Sequence, residues 1–308
     1  MSFSNDVRRE ISSSVNDKDK RFACLYGMLL FSRTLSHEKI CFQTESKISA
    51  DMFKLLIYDV FGKSAQVKAH TSTRKNGAEL YSFDIDDRDA VKKILGKYRI
   101  SAAERGIDSE IIVNNSLGVF AAGVFLACGS VNNPSKEYHL EFTVPERHLA
   151  EELLTLLGDI GVNAKIASRR GQFVVYIKES ESIEDTLTFI GAQQCTLELM
   201  NVKIYKDVRN KANRIANCDT ANIDKVVNAA IRQIEDIQLI DRNVGIENLP
   251  DELREIAEIR LANTDMSLKE IGDSLENPIS RSGVNHRFKR LAKMADEIRT
   301  GGADKNES

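Results

Sequence analysis

The sequence lacks the residue pairings of a disulfide scaffold or a zinc protein. Its five cysteines, Cys24, Cys41, Cys128, Cys195 and Cys218, are odd in number and scattered, with no C-x-x-C pair. That usage suits reduced thiols in a cytoplasmic protein. Long apolar runs are also missing: the longest, Leu117 to Cys128, falls short of the roughly 20 residues a membrane helix needs. The first twenty residues are polar and of mixed charge, unlike a secretory signal. Neither sign of charge dominates. A net charge of −3 gives no overall pull toward nucleic acid, so any basic surface must be local. Catalytic spacings are absent too. The five histidines, His37, His70, His139, His148 and His286, form no H-x-x-x-H, and neither a G-x-x-x-x-G-K loop nor a G-x-S-x-G elbow occurs. No cofactor or metal is expected, and no membrane partner.

What is present is enough chain for two domains: 308 residues, 42% hydrophobic and 29% charged. The first two hundred residues repeat one order of elements. Two small-residue apolar helices, Phe22 to Phe31 and Val119 to Cys128, open the units, with Gly27 matching Gly123. Each is followed by a short alternating strand (Ile40 to Gln43; Tyr138 to Thr143) and an amphipathic helix (Asp51 to Phe61; Glu146 to Ile160). A hairpin then turns on a basic, glycine-bearing segment, Arg74-Lys-Asn-Gly77 or Arg169-Arg-Gly171, where positive φ is needed. A last helix, Asp87 to Lys97 or Ser182 to Gly191, closes each unit. This is a duplicated α/β unit. Glycine inside an apolar helix costs about 1 kcal/mol against alanine. The shared element order therefore favours Gly27, Gly123 and Ala127 as points of close helix approach over incidental core positions.

The paired helices resemble those of the LAGLIDADG homing endonucleases, which pack side by side beneath a DNA-binding β-saddle. The motif falls on Leu25 to Arg33 and on Ala121 to Gly129, with Phe31 standing where the family places a small residue. The resemblance implies a metal-holding acid at the foot of each helix, but those positions here are Ser32 and Cys128. Neither side chain is a hard oxygen anion suited to Mg²⁺. No Asp or Glu occurs between Phe22 and His37 or between Ile111 and Lys136, so the same helices offer no replacement. The nuclease reading would need acids from elsewhere, such as Asp84, Asp86 or Asp87; these suit capping of the following helix.

Between Val202 and Ala216 five cations (Lys203, Lys206, Arg209, Lys211, Arg214) face one acid, Asp207, a local charge of +4. Two readings stay open: a solvated helix joining two domains, or a stretch that contacts phosphates. Amphipathic spacing resumes at Ile223, with Val226, Val227, Ala230, Ile234 and Ile237.

The C-terminal region carries the most specific pattern. Leu249-Pro250-Asp251 starts a helix whose apolar face is Leu253, Ile256, Ala257 and Leu261. Ser267 with Glu270 forms a capping box for a short helix with Leu268, Ile271 and Leu275 inward. Pro278 breaks the chain, and Ser280 caps a third helix beginning at Arg281. At 100° per residue, Val284, Phe288, Leu291, Ala295 and Ile298 form one stripe. Ser282, Asn285, His286, Lys289 and Lys293 lie opposite, and Arg287 and Arg290 flank. From Asn277 to Ala295 the charge is +5 with no acid. A short helix, a break and a basic amphipathic helix place a recognition helix in the major groove. Base readout is expected from Arg281, Ser282, Asn285 and His286, with Ser280 at the helix start; phosphate contacts are expected from Lys289, Arg290 and Lys293, and Arg287 is counted with them among the DNA-binding residues.

This segment resembles region four of bacterial sigma factors. With the acid-free N-terminal domain, the chain resembles the WhiA family of bacterial regulators, most specifically over Ser282-Gly-Val-Asn-His-Arg287. The resemblance implies a transcription factor of cell division and chromosome segregation, and of sporulation where the organism sporulates. It would bind double-stranded DNA, be nucleoid-associated, and have RNA polymerase or another regulator as a protein partner. The expected fold is α+β. A duplicated LAGLIDADG-like domain with antiparallel sheets spans 1–198, with repeats at about 20–100 and 115–195. A basic linker (199–221), an all-α domain (222–300) with the helix-turn-helix at 267–297, and a disordered tail (301–308) follow. The alternatives are a metal-dependent homing-type endonuclease and an RNA-binding or scaffold protein.

Overall fold

A computed structural model of the chain describes residues 2–112, 116–169 and 171–301. Arg170 of the second basic turn and residues 302–308 of the expected tail lie outside the described residues. The chain divides into two compact units between Asp207 and Val208, inside the stretch expected as a linker.

Unit 1 holds α1 (Phe3–Ser14), α2 (Lys18–Leu30), α3 (Lys47–Phe61), α4 (Arg88–Lys97), α5 (Leu117–Cys128), α6 (Arg147–Asp159) and α7 (Ser180–Phe189). Its strands are β1 (Thr34–Leu35), β2 (Ile40–Thr44), β3 (Lys68–Thr73), β4 (Glu79–Ile85), β5 (Gly129–Val131), β6 (Leu140–Val144), β7 (Lys165–Arg169) and β8 (Gln172–Ile177). They form two antiparallel sheets of the same topology, β1-β2-β4-β3 and β5-β6-β8-β7. The duplication is thus a duplication of sheet order. Ile40 pairs with Ile85 and Leu140 with Ile177, each at the start of the second strand of its sheet. Gly77 and Gly171 take φ of 81° and 78° in the hairpin turns, a conformation that costs glycine little.

α2 and α5 pack backbone to backbone. A Cβ on Gly27 would stand 2.3 Å from Phe120 O, and one on Gly123 would stand 2.1 Å from Cys24 O. Only hydrogen fits at either crossing point. Around them Tyr26, Tyr98 and Phe120 are fully buried, and Tyr26 and Tyr98 stack at 5.6 Å.

α1 precedes the first repeat. It buries Phe3, Val7 and Ile11 against the core. Its Ser4 hydroxyl donates to Val131 O and accepts from Val131 N, which pins β5.

α8 (Gln193–Asn243) is one continuous helix and contains the whole 199–221 stretch. No glycine or proline interrupts it, and positive-φ glycines, Gly191 and Gly245, stand outside its two ends. At its start the Glu10 carboxylate accepts from Gln194 N (2.6 Å) and Cys195 N (3.0 Å), a cap from the far end of the sequence. Ile223, Val226, Val227 and Ile231 on α8 are exposed, whereas Ile237 and Ile240 are buried in unit 2.

Unit 2 continues with α9 (Asp251–Ala262), α10 (Leu268–Ser274) and α11 (Arg281–Gly301). Its core joins Ile237 and Ile240 to Leu249, Leu253, Ile256, Ala257, Ile271, Val284, Phe288, Leu291 and Ala295. Leu268 and Ile298 pack partly buried at its edge. No helix among the described residues is long and apolar enough to cross a membrane.

Candidate nucleic-acid interface

The helix-turn-helix is built from local signals. Ser267 and Glu270 form the reciprocal capping box, with Glu270 accepting from Ser267 N at 2.7 Å. The turn after α10 folds back so closely that a Cβ on Gly272 would stand 2.4 Å from Ile279 O. Ile279 N closes it by donating to Gly272 O at 3.2 Å. Ser280 Oγ then accepts from Gly283 N at 3.3 Å and starts α11 at Arg281.

Val284, Phe288, Leu291 and Ala295 face the core, so the opposite face of α11 is fixed toward solvent. Ser280, Arg281, Ser282, Asn285, His286, Lys289 and Lys293 are all exposed there. Ser280 and Ser282 share a hydroxyl contact of 2.8 Å. Arg281, Asn285, Lys289 and Lys293 make no ion pair or side-chain hydrogen bond among the described residues. Exposed hydrogen-bond donors of the kinds that suit base edges and phosphates thus line one side of one helix.

Arg287 and Arg290 are placed differently. Both meet Glu252 at the start of α9: Arg290 pairs with its carboxylate, and Arg287 donates to its backbone carbonyl at 3.3 Å. Arg290 first, and Arg287 after it, hold the Glu252 carboxyl below the usual carboxylate range. A segment free of acids in sequence is therefore not free of them in space.

Arg260 is a structural residue that sequence reasoning missed. It is 2% exposed, lies 5.5 Å from the Phe288 ring centroid and donates to Met266 O at 2.7 Å and to Gln233 Oε1 at 3.1 Å. It ties α9 to the loop before α10 and to α8.

The cations of the 199–221 stretch split. Lys203 is bound within unit 1 to Glu181 (3.2 Å) and Glu184 (3.4 Å), and Lys206 donates to Pro134 O and lies 4.5 Å from the Tyr138 ring centroid. Arg209, Lys211 and Arg214 are exposed on α8.

At the feet of α2 and α5, Ser32 is buried with its hydroxyl aimed at Thr34 O (3.3 Å), and the Cys128 thiol is aimed at Val124 O (3.4 Å). Burial pushes the Cys128 pKa up and keeps it a thiol, with nearby Arg8 opposing the shift. Guanidinium groups meet the helix ends. Arg105, 4% exposed, donates to Ser32 O at 2.7 Å and pairs with Glu146 at 2.9 Å; Arg8 donates to Gly129 O at 2.7 Å. The acids that a nuclease would need from elsewhere are committed to other contacts. Asp84 pairs with Lys39 and Asp86 with Lys68, while Asp87 caps α4. Among the described residues, no three His, Cys, Asp or Glu side chains are placed to hold a metal.

Comparison with known proteins agrees with this geometry. Residues 117–209 match the model of the WhiA LAGLIDADG-like domain, and residues 212–295 match that of the WhiA C-terminal HTH domain. The chain is 40% identical to the probable cell division protein WhiA of Clostridium perfringens, over 98% of this chain and 99% of that one. It is 39% identical to that of Clostridium novyi, over 98% and 100%. The crystal structure of full-length DUF199/WhiA from Thermatoga maritima superposes with a TM-score of 0.58 at 25% identity, covering 96% of this chain and 99% of that one.

Proposed function

The chain belongs to the WhiA family, and from that premise we propose that it is a sequence-specific, non-enzymatic transcriptional regulator of cell division and chromosome segregation. It would act also in sporulation where the organism sporulates. The observation that carries this reading is the outer face of α11, where Arg281, Asn285, Lys289 and Lys293 stand exposed and uncommitted to other side chains. In a major groove, Asn285 suits the edge of adenine and Arg281 that of guanine, while Lys289 and Lys293 reach phosphates. Arg290 binds phosphate by exchanging its Glu252 partner, which makes it a weaker contributor than its charge suggests. Arg209, Lys211 and Arg214 extend the phosphate contact. The protein is nucleoid-associated in this reading, with RNA polymerase or a second regulator as its protein partner.

Unit 1 is read as non-catalytic because Ser32 and Cys128 stand at its helix ends in place of carboxylates, with arginines bound to the carbonyls beside them. Metal-dependent nicking of mixed DNA by the purified protein would reverse that. For DNA readout the test is a titration on bound genomic sites. Asn285→Ala or Arg281→Ala should cost about 1–3 kcal/mol on the preferred sequence and relax discrimination. Lys293→Ala should weaken all sequences alike and lower the salt slope by about one. An unchanged Kd in the triple alanine variant of Arg281, Asn285 and Lys289 removes the assignment.

A further inference from the structure

A cleft of about 570 Å³ opens in unit 1 at the C-terminal ends of α2 and α5. It is lined from one sheet by Gln43 and Arg74, from the other by Thr143 and Gln172, and at the helix ends by Arg33 and Cys128. Both halves of the duplication contribute to its walls. Arg8 completes the lining, with Glu45 as the one carboxylate, so the formal charge of the walls is +2.

These cations are not equally satisfied. Arg74 is paired with Glu45 at 2.8 Å, and Arg33 donates to Gln43. Arg8 has no carboxylate partner among the described residues; it donates to Gly129 O and Asn5 Oδ1, lies 5.6 Å from the Phe125 ring centroid, and keeps a buried Nε without a hydrogen-bond partner. Withdrawing a guanidinium from water without a counter-charge is costly. The arrangement therefore favours an anion. The helix C-termini act against one, but Arg105 and Arg8 already place positive charge there, bound to Ser32 O and Gly129 O just beyond the two helices. The planar fork of arginine matches phosphate oxygens in particular, and Gln172 adds a neutral amide to the lining.

We propose that this cleft binds a phosphate group directly through Arg8, Arg33 and Arg74, with no metal between. A phosphodiester of a duplex and a free phosphorylated small molecule present the same chemistry to the cleft. This proposal does not rest on the recognition helix, so the two can fail separately.

The test uses the full chain in EDTA. Pyrophosphate is titrated calorimetrically, and a short duplex of scrambled sequence is titrated by anisotropy at fixed salt. Arg33→Gln changes an exposed residue and leaves the fold intact; Arg8→Lys keeps the charge and loses the fork, and a thermal melt checks its folding. Pyrophosphate binding that weakens about tenfold in Arg33→Gln, yet is unchanged in Lys289→Ala, supports the proposal with a free phosphate as ligand. No pyrophosphate binding, but weaker duplex binding and a shallower salt dependence in Arg33→Gln, supports it with DNA as ligand. If neither probe responds to Arg33→Gln and Arg8→Lys, the proposal is overturned.

Discussion

Replacing Gly123 by alanine should destabilise unit 1, although alanine is the better helix former by about 1 kcal/mol. The added Cβ would lie 2.1 Å from the carbonyl oxygen of Cys24 and 2.9 Å from its carbon. A carbon–oxygen contact settles near about 3.3 Å or more, so α2 and α5 must part by roughly 1 Å. A gap of about 0.5–1 Å forfeits about a quarter to a half of the dispersion well for each atom along the seam. The obstructing atoms are backbone and cannot rotate away, which puts the cost at the top of the roughly 1–3 kcal/mol range for overpacking. After the gain in helix propensity, a net loss of about 2 kcal/mol remains. In a domain of this size that lowers the melting midpoint by about 4–8 °C. Gly158 is the control: it lies in α6 with nothing within 4 Å of its virtual Cβ, so Gly158→Ala should stabilise by up to about 1 kcal/mol. Gly27→Ala should behave like Gly123→Ala, and the double variant should lose less than the sum, because helices already parted admit the second methyl. Urea denaturation of the full chain, followed by near-ultraviolet circular dichroism of the tyrosines, reads these differences. Equal stability for Gly123→Ala and Gly158→Ala would refute the close-approach reasoning.

Arg260→Ala should destabilise unit 2 by about 3 kcal/mol or more, since it opens a cavity beside Phe288 and strips several carbonyls of their donor; denaturant titration of unit 2 checks it. Glu252→Gln should strengthen binding to duplexes of any sequence and steepen the salt dependence, because Arg287 and Arg290 become available to phosphates; unchanged affinity at low salt would show that these arginines do not reach the duplex. The same carboxylate has a folded-state pKa below its unfolded value. Its contribution to stability is therefore full above about pH 4.3 and is lost as the pH falls through the depressed value. Glu252→Gln should remove that acid-side dependence from the melting curve of unit 2. Glu10→Gln should weaken the start of α8 by about 1 kcal/mol, since it takes the charge from its cap, with hydrogen exchange at Gln194 and Cys195 as the readout.

The duplicated sheets and the helix-turn-helix were legible because their signals are local. Ser267, Glu270, Pro278 and Ser280 mark helix ends within a few residues of where they act. Gly27 and Gly123 announce a close crossing because glycine has few other uses inside an apolar helix. Bonds that join distant segments were not legible. Glu252 meets Arg287 and Arg290 from another helix, and Glu10 caps a helix that begins more than 180 residues later. α1 was hidden by its polar composition, though Phe3, Val7 and Ile11 stand at four-residue intervals and bury one narrow stripe. α8 was legible in part: a solvated helix joining two domains is one of the two readings of its charged stretch, and the absence of glycine and proline from Gln193 to Asn243 is the signal for its full length.

The two arginines at the helix ends explain how unit 1 keeps its architecture without nuclease acids. Paired helices that end side by side direct unsatisfied carbonyls and two negative dipole ends into one small region. Cations there are stabilising whether they are metal ions or side chains. Arg105 takes up Ser32 O and Leu30 O from within the core, with Glu146 balancing its charge, whereas Arg8 takes up Gly129 O with no carboxylate beside it. The pseudo-symmetric ends are thus balanced unequally. On the α5 side Arg8 is left as an unbalanced positive charge on the cleft, beside Cys128, which stays a neutral thiol. With Ser32 and Cys128 at these positions in place of carboxylates, the electrostatic demand of the helix ends remains. Meeting that demand with an arginine held in place by Asn5 and Phe125 leaves a fixed, half-buried cation lining the cleft.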